Sequence, residues 1–276
     1  MDFFNTLLSL IKERGLFHCF YVDRLHIYFD ARVPQSDLLE LKALSEKNLL
    51  HPRTLEGYIH LTQKLELFQL NADNLERLKT ICETSKGDYK INYIELALDF
   101  YSKKKAKVKC LRRFFNKHLV QLGKSSQEKP YFNNTKGTHY YHRKKKPVRL
   151  VLYSKKPFRW KKGYSCVHLE YRYKGLDALR QLGIITINDI VNFDHAAFWQ
   201  QQLDLRKPDF KDIGNYLAEQ EGRSISNTAL NKKGQRFFEQ LSSLQKLFYN
   251  HPEFTKVFST INTPEALNKF INQAFS

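Results

Sequence analysis

KKKPVRLVLYSKKPFRWKKGYSCVHLEYRYKG, residues 144–175, carries the pattern that decides the fold. It predicts two strands joined by a basic loop. In VRLVLYSK the side chains alternate, with Leu150 and Leu152 on one face and their neighbours on the other. CVHLEYRYK alternates too. Val167, Leu169, Tyr171 and Tyr173 fall on one face, and His168, Glu170 and Arg172 on the other. A His–Glu–Arg face in mid-strand, beside so many lysines, suits a salt bridge, a metal, or both.

Strand patterns lie on the N-terminal side as well. FHCFYVDRLHIYFDA ends its strand at Asp30, KLELFQL spans Lys64 to Leu70, and INYIELALDF spans Ile91 to Phe100. GTHYYHRKKK predicts a further strand with a basic end, a hairpin partner for VRLVLYSK. Helices alternate with these strands. MDFFNTLLSLIKERGLF predicts an amphipathic first helix, since it lacks the basic n-region and small-residue cleavage site of a signal peptide. QSDLLELKALSEK has Ser36 or Asp37 as N-cap, and DNLERLKTICETS has Asn71 or Asp73. KAKVKCLRRFFNKHLVQLG turns Val108, Leu111, Phe115 and Leu119 inward and ends at Gly123. Lys124 to Lys136 is polar and turn-rich, and predicts a loop.

VDRLHIYFD (Val22 to Asp30) and INYIELALD (Ile91 to Asp99) resemble one another, each a strand soon followed by an amphipathic helix. A β–helix unit used twice predicts a pseudo-symmetric sheet. Beyond the opening stretch, GLDALRQLGI and TINDIVNFDHAAFWQQQLD predict helices, the second capped by Thr186. Composition shifts near Leu203 to Pro208. KPDFKDIGNYLAEQEG, SNTALNKKGQRFFEQLSSLQKLFYN and TPEALNKFINQAF then predict packing helices. Ser226 and Thr228 would suit a DNA-binding helix pair, but no defined motif accompanies them. The fold expected is α+β: a pseudo-symmetric, mostly antiparallel sheet with helices packed on one face, plus a small helical C-terminal part. Its boundaries are 1–203 and 204–276.

With 276 residues, 42% of them hydrophobic, the chain has enough apolar side chains for a sizeable core. No apolar run reaches the roughly 18 residues of a transmembrane helix, so a membrane is not an expected location. The four cysteines are Cys19, Cys82, Cys110 and Cys166. None forms a C-x-x-C pair, which argues against a zinc site and for free thiols in a reducing cytoplasm. The formal net charge is +18, which calls for an anionic partner. Nucleic acid is the first choice and an anionic membrane surface the second. The charge is uneven. One cluster is Lys103, Lys104, Lys105, Lys107, Lys109, Arg112, Arg113 and Lys117. The other runs from Arg143 to Lys174, and within it Lys144, Lys145, Lys146, Arg149, Lys155, Lys156, Arg159, Lys161, Lys162 and Arg172 are the candidate DNA-binding residues.

Glu95, Asp99 and Glu170 are carboxylates on strands. If the strands are neighbours, two of them offer oxygen ligands to Mg²⁺ or Mn²⁺, with His168 as a nitrogen ligand. The competing arrangement pairs Glu170 with Arg172 or a lysine. Tyrosines number fifteen, several among the basic residues. Aromatics interleaved with cations suit stacking on unpaired bases. A tyrosine hydroxyl also attacks a phosphodiester when a metal polarises the phosphate. No P-loop, dinucleotide fingerprint, G-x-S-x-G or H-E-x-x-H motif is present. The His-apolar-His triplet of one large group of DNA-nicking initiators is also missing.

INYIELALDF, GTHYYHRKKK, VRLVLYSKK and VHLEYRYKGLDALRQLGI resemble, in order and spacing, the replication initiation factor family. These are the Rep proteins of rolling-circle plasmids, filamentous phages and related mobile elements. The matching motifs are Leu98-Asp99, Gly137-Thr138-His139-Tyr140, Tyr153-Ser154-Lys155 and Val167 to Arg172, within Ile91 to Trp199. The resemblance implies a protein that binds an origin, cuts one strand through a tyrosine, and leaves a 3′ hydroxyl to prime synthesis. It implies a divalent metal on Asp99 and Glu170, with Lys155 facing phosphate. A bacterial cytoplasm is the implied location. Partners are the origin DNA, with a homodimer, a host helicase and a polymerase as further candidates.

The chain departs from that pattern in three places. His168 stands where the family has Arg, and Ser154 where an acidic residue or Asn is usual. The helix after the Glu-bearing strand lacks the nucleophilic tyrosine, and Phe198-Trp199 resembles the family's Tyr-Trp pair without its hydroxyl. Tyr171 and Tyr173 are the nearest replacements. Either another tyrosine acts or the chain binds DNA without cutting it. An RNA-binding protein unrelated to replication is the third reading.

Overall fold

The computed structural model describes residues 3–44, 50–54, 62–84, 88–120, 133–135, 138–141, 146–154, 156–222, 226–240 and 258–276. An eight-stranded sheet runs through the molecule in the order β2-β3-β1-β4-β9-β8-β7-β6. Its strands are β1 (Phe17–Phe29), β2 (Leu50–Thr54), β3 (Gln63–Leu70), β4 (Tyr89–Ser102), β6 (Asn133–Thr135), β7 (Thr138–Tyr140), β8 (Val148–Tyr153) and β9 (Ser165–Lys174). Every neighbouring pair is antiparallel.

The expected pseudo-symmetry is visible in this order. The first half runs β1, α2 (Gln35–Leu44), β2, β3, α3 (Ala72–Thr84). The second runs β4, α4 (Lys105–His118), β8, β9, α5 (Leu176–Gln181). In each half the last strand lies beside the first, and β1 meets β4 at the centre. Val22 pairs with Leu96 and Ile27 with Ile91, so these two pairs exchange when VDRLHIYFD is laid on INYIELALD. The register shifts twice along β1 and β4, between Val22 and Arg24 and again between His26 and Ile27. The extra residues are Asp23 on β1 and Asn92 on β4, and they occupy equivalent places in the two segments. Each bulge puts two successive residues on one face.

One face of the sheet is apolar. Val22, Leu25, Ile27, Ile94, Leu96, Leu98, Phe100, Val167, Leu169 and Tyr171 form it, and all are buried. It is covered by α1 (Phe3–Glu13) through Phe4, Leu7 and Ile11, and by α4 through Val108, Leu111, Phe114 and Phe115. The predicted helix from Thr186 to Asp204 is two helices, α6 (Ile187–Val191) and α7 (His195–Gln202). Thr186 caps the first in a capping box with Asp189, and Asp194 caps the second. Phe198 and Trp199 of α7 are buried against Tyr171.

The region after Leu203 begins with a strand that sequence patterning missed. β10 (Asp204–Pro208) pairs with β5 (Leu119–Val120) and β11 (Phe258–Thr260) in a small second sheet. Helices α8 (Phe210–Gln220), α9 (Asn227–Gln240) and α10 (Pro264–Phe275) complete the chain. Leu267 and Ile271 of α10 join the main core, and His118 of α4 lies 4.9 Å from the Phe270 ring. The two regions expected from composition therefore share packing. No helix among the described residues is long and apolar enough to cross a membrane.

Candidate functional site

The other face of the sheet is polar, and its centre is acidic. Glu95 projects from β4 and Glu170 from β9, with Ala97 between their registers. Asp23 reaches the same face because the β1 bulge interrupts the alternation there. Ligand oxygens of Asp23, Glu95 and Glu170 all lie within 4.8 Å of one another, and all three residues are buried. Sequence reading had two of these carboxylates and missed Asp23. Its signal was the pair Asp23-Arg24, two polar residues in succession within an otherwise alternating strand.

Arginines and tyrosines enclose the cluster. The Arg159 guanidinium lies 2.6 Å from Asp23, and Arg172 lies 2.7 Å from Glu170 and 3.2 Å from Glu95. Tyr153 donates its hydroxyl to Glu170, and Tyr93 donates to Glu95. The second carboxylate oxygen of Glu95 is buried without a hydrogen bond, its nearest cation being Arg24 Nε at 3.8 Å.

Burial and repulsion from Glu170 raise Asp23 to about 7, against the pull of Arg159. Burial opposes the charge on Glu170 as well, but Arg172 and the Tyr153 hydroxyl outweigh it and hold that carboxyl below its ordinary range. Three crowded carboxylates, one close to protonation and one with an unused oxygen, fit an oxygen-ligated divalent cation. Such an ion would add to Arg159 the positive charge that three crowded carboxylates call for.

A second cluster sits beside the first. His168 Nδ1 lies 2.8 Å from Asp99 Oδ1, and its Nε2 lies 3.1 Å from the Lys156 carbonyl. Both neighbours are acceptors, an arrangement that favours the doubly protonated ring. Burial opposes that charge, but Asp99 and the Lys156 carbonyl raise the His168 pKa above its ordinary value. Tyr21 donates to the other Asp99 oxygen at 3.0 Å. Cys166 completes the group.

The expected metal set of Asp99, His168 and Glu170 is thus divided between two clusters. With both ring nitrogens engaged by acceptors, His168 offers neither to a metal. In this arrangement Asp99 and His168 bolt β1, β4, β9 and the β8–β9 loop together.

That loop folds back over the polar face. Phe158 stacks on Tyr101 with ring centroids 3.8 Å apart, and Trp160 meets the Tyr21 ring edge-on at 5.6 Å. Gln69 lies across from the Asp23 bulge on β3, with φ of 55°, and its carboxamide faces Arg159. A left-handed non-glycine residue costs on the order of 1 kcal/mol, so this aim of Gln69 is held by its surroundings.

The candidate DNA-binding residues separate into two groups. Lys146, Lys156, Lys161 and Lys162 are exposed, and Arg149 is half-buried beside Arg172. Lys156 lies over the Tyr153 ring and Lys161 over the Tyr164 ring. Arg159 and Arg172 instead serve the carboxylates. Lys144, Lys145 and Lys155 lie outside the described residues.

The candidate nucleophiles Tyr171 and Tyr173 are corrected by the pleat. Both project from the core face of β9, opposite Glu170, and are buried. The Tyr171 hydroxyl donates to the Gln202 carbonyl at 3.1 Å. Among the described residues, the hydroxyls that touch the acidic cluster are those of Tyr93, which lies two residues before Glu95 on the same face of β4, and Tyr153, which approaches Glu170 through the β8–β9 pairing.

Fold and site together define an α+β protein with a buried acidic centre on the polar face of an antiparallel sheet. No family profile matches the sequence, and no curated protein matches it. Among solved structures, the chain is similar to the rolling circle replication initiator protein from Geobacillus stearothermophilus. The identity is 13% over 80% of this chain and 96% of that chain, with a TM-score of 0.37.

Proposed function

We propose that the chain is a replication initiator of the rolling-circle type, which binds origin DNA on its basic polar face and cuts one strand beside Asp23, Glu95 and Glu170. The observation that carries this reading is the convergence of three carboxylates, from three adjacent strands, with two tyrosine hydroxyls on a face rimmed by lysines. The described residues of the motifs that resemble the initiator family fall on β4, β7, β8 and β9 and the residue just after β8, and these four strands are consecutive in the sheet.

A divalent cation held by Asp23, Glu95 and Glu170 would polarise a phosphoryl oxygen and favour the phenolate. Tyr93 is the better placed nucleophile, because it is half-buried whereas Tyr153 is only 6% exposed. Burial and Glu95 raise the Tyr93 pKa, while Arg172 and Arg24 oppose that rise. In the proposed step the Tyr93 oxygen bonds to phosphorus and its proton passes to Glu95. The bond from phosphorus to the 3′ oxygen breaks, and the leaving oxygen takes a proton from solvent. The products are a 5′ phosphotyrosine and a free 3′ hydroxyl.

A non-cutting origin binder on the same fold is the second reading. It is favoured by the arginine partners that Asp23, Glu95 and Glu170 already have, and by the burial of Tyr171 and Tyr173 in the core. Relaxation of supercoiled DNA carrying this gene and its flanks, with Mg²⁺ or Mn²⁺, separates the two. The initiator reading expects relaxation by the wild type and none by Glu170→Ala or Glu170→Gln. The amide variant is included because removing one partner of a buried ion pair costs about 3–5 kcal/mol. Binding of that DNA without nicking selects the second reading, and nicking that survives both substitutions removes Glu170 from the site.

A further inference from the structure

The basic cluster from Lys103 to Lys117 takes no part in the site described above. From Lys105 onward it lies on α4, which packs its apolar side on the sheet face opposite the carboxylates, with the Phe115 ring tilted against Phe100 at 5.4 Å. The other side of α4 is exposed at Lys105, Lys109, Arg113 and Lys117. These cations recur at every turn and span about 18 Å at 1.5 Å per residue. No acidic residue occurs from Tyr101 to Gln127.

Among the described residues, Lys105, Lys107 and Lys109 make no ion pair. The first turn of α4 contains no acid, so its lysines also oppose the helix dipole. Like charges spaced one turn apart repel.

We infer that this face of α4 is a second binding surface, for the phosphate backbone of duplex DNA. It rests on the nucleic-acid reading proposed above. Two features favour duplex DNA as the occupant. Steps of about 6 Å between successive cations meet about every second phosphate of a strand that presents one every 3.4 Å along its axis. The seam between α4 and α10 also holds two hollows. One, of about 450 Å³, is lined by Arg14 and Lys107 together with Glu13, which pairs with Arg14, and the other, of about 210 Å³, by Arg113 and Lys117 with no acidic residue.

The surface is continuous with the polar face. Lys103, just before α4, lies 5.8 Å from the Tyr164 ring centroid, and Lys161 of the β8–β9 loop lies 5.1 Å from the same centroid. One cationic track therefore runs from α4, around the end of the sheet, to the loop over the carboxylates. A duplex seated on α4 delivers its unpaired end to the polar face.

The test compares two variants of the full chain. One is Lys105→Glu/Lys109→Glu/Arg113→Glu on α4, and the other is Lys161→Glu/Lys162→Glu on the loop. Fluorescence anisotropy follows binding of a short mixed-sequence duplex and of an oligothymidylate across a salt series. A Lys→Gln and Arg→Gln version of the α4 set repeats the measurement if charge reversal prevents folding. The α4 set is expected to weaken duplex binding at least about tenfold and to flatten its salt slope by about 3, with oligothymidylate binding little changed. The loop set is expected to do the reverse.

Duplex binding that is intact in the α4 set but lost in the loop set overturns the inference and leaves the nucleic-acid reading standing. Wild-type protein that binds neither probe overturns both. Loss of binding to phosphatidylserine vesicles in the α4 set, with duplex binding intact, assigns the surface to lipid and overturns the inference.

Discussion

Asp23 is the residue on which the site turns. A bulge places it among two other carboxylates, and burial holds its carboxyl at about 7 although Arg159 is 2.6 Å away. An acid whose pKa is higher folded than unfolded binds its proton more tightly in the folded state. The stability this confers is complete below the ordinary Asp value and is lost as pH rises through about 7. Wild-type stability is therefore expected to fall by a few kcal/mol between about pH 4 and pH 7, and Asp23→Asn to flatten that fall. Urea denaturation across this range measures it, and an unchanged slope in the variant would remove Asp23 as the cause. Saturating Mn²⁺ is expected to restore wild-type stability most at high pH, where Asp23 has lost its proton.

This residue also marks what the sequence left hidden. The alternation of CVHLEYRYK put Glu170 on a polar face, and that reading holds in β9. Arg172, two residues further along β9, pairs with it as the alternation allows. The other neighbours of Glu170 come from β1, β4 and β8, and their approach depends on cross-strand register, which local periodicity does not encode. The same pleat that exposed Glu170 sent Tyr171 and Tyr173 into the core.

At the scale of elements, alternation was legible because it is local, and so were the caps Asn71 and Thr186. By contrast, α2 already begins at Gln35, ahead of the expected Ser36 or Asp37, and α4 ends at His118 rather than at Gly123 because Leu119 enters a strand. The repeat of VDRLHIYFD and INYIELALD became the central pair β1 and β4, with its two bulges at Asp23 and Asn92. Asp30, equivalent to Asp99 in that repeat, is exposed beyond its strand end, so the symmetry of the sheet does not extend to its chemistry. β5, β10 and β11 were not legible. They are short, and only long-range pairing makes them strands.

The α8–α9 contact shows the same dependence on partners. Gly214 lies against the backbone of Leu230, and Gly234 against that of Phe210, so a Cβ at either would enter a facing main chain. Gly→Ala in a helix ordinarily gains about 1 kcal/mol. Forcing two backbones apart costs about 1–3 kcal/mol, and here it dominates. Gly214→Ala and Gly234→Ala are each expected to lower the unfolding midpoint in a thermal melt. A rise in the midpoint would mean that the helices separate freely.

Over the whole molecule, a net charge of +18 is arranged around a buried acidic centre. The cations form its rim, and the carboxylates, enclosed by arginine and tyrosine, are kept from that outer field. Nucleic acid held at the rim by about six phosphates gives a log–log salt slope of about −5. A slope near zero, measured by anisotropy with the gene-flanking duplex, would contradict nucleic-acid binding as a whole.

The most direct test of strand cutting at the acidic face is to trap the protein on its own flanking DNA with Mn²⁺, digest the complex with trypsin, and sequence the DNA-linked peptide. The account predicts a phosphotyrosine at Tyr93, absent in Tyr93→Phe and in Glu95→Gln. An adduct at Tyr171 or Tyr173, or DNA that is bound but carries no adduct, would contradict it.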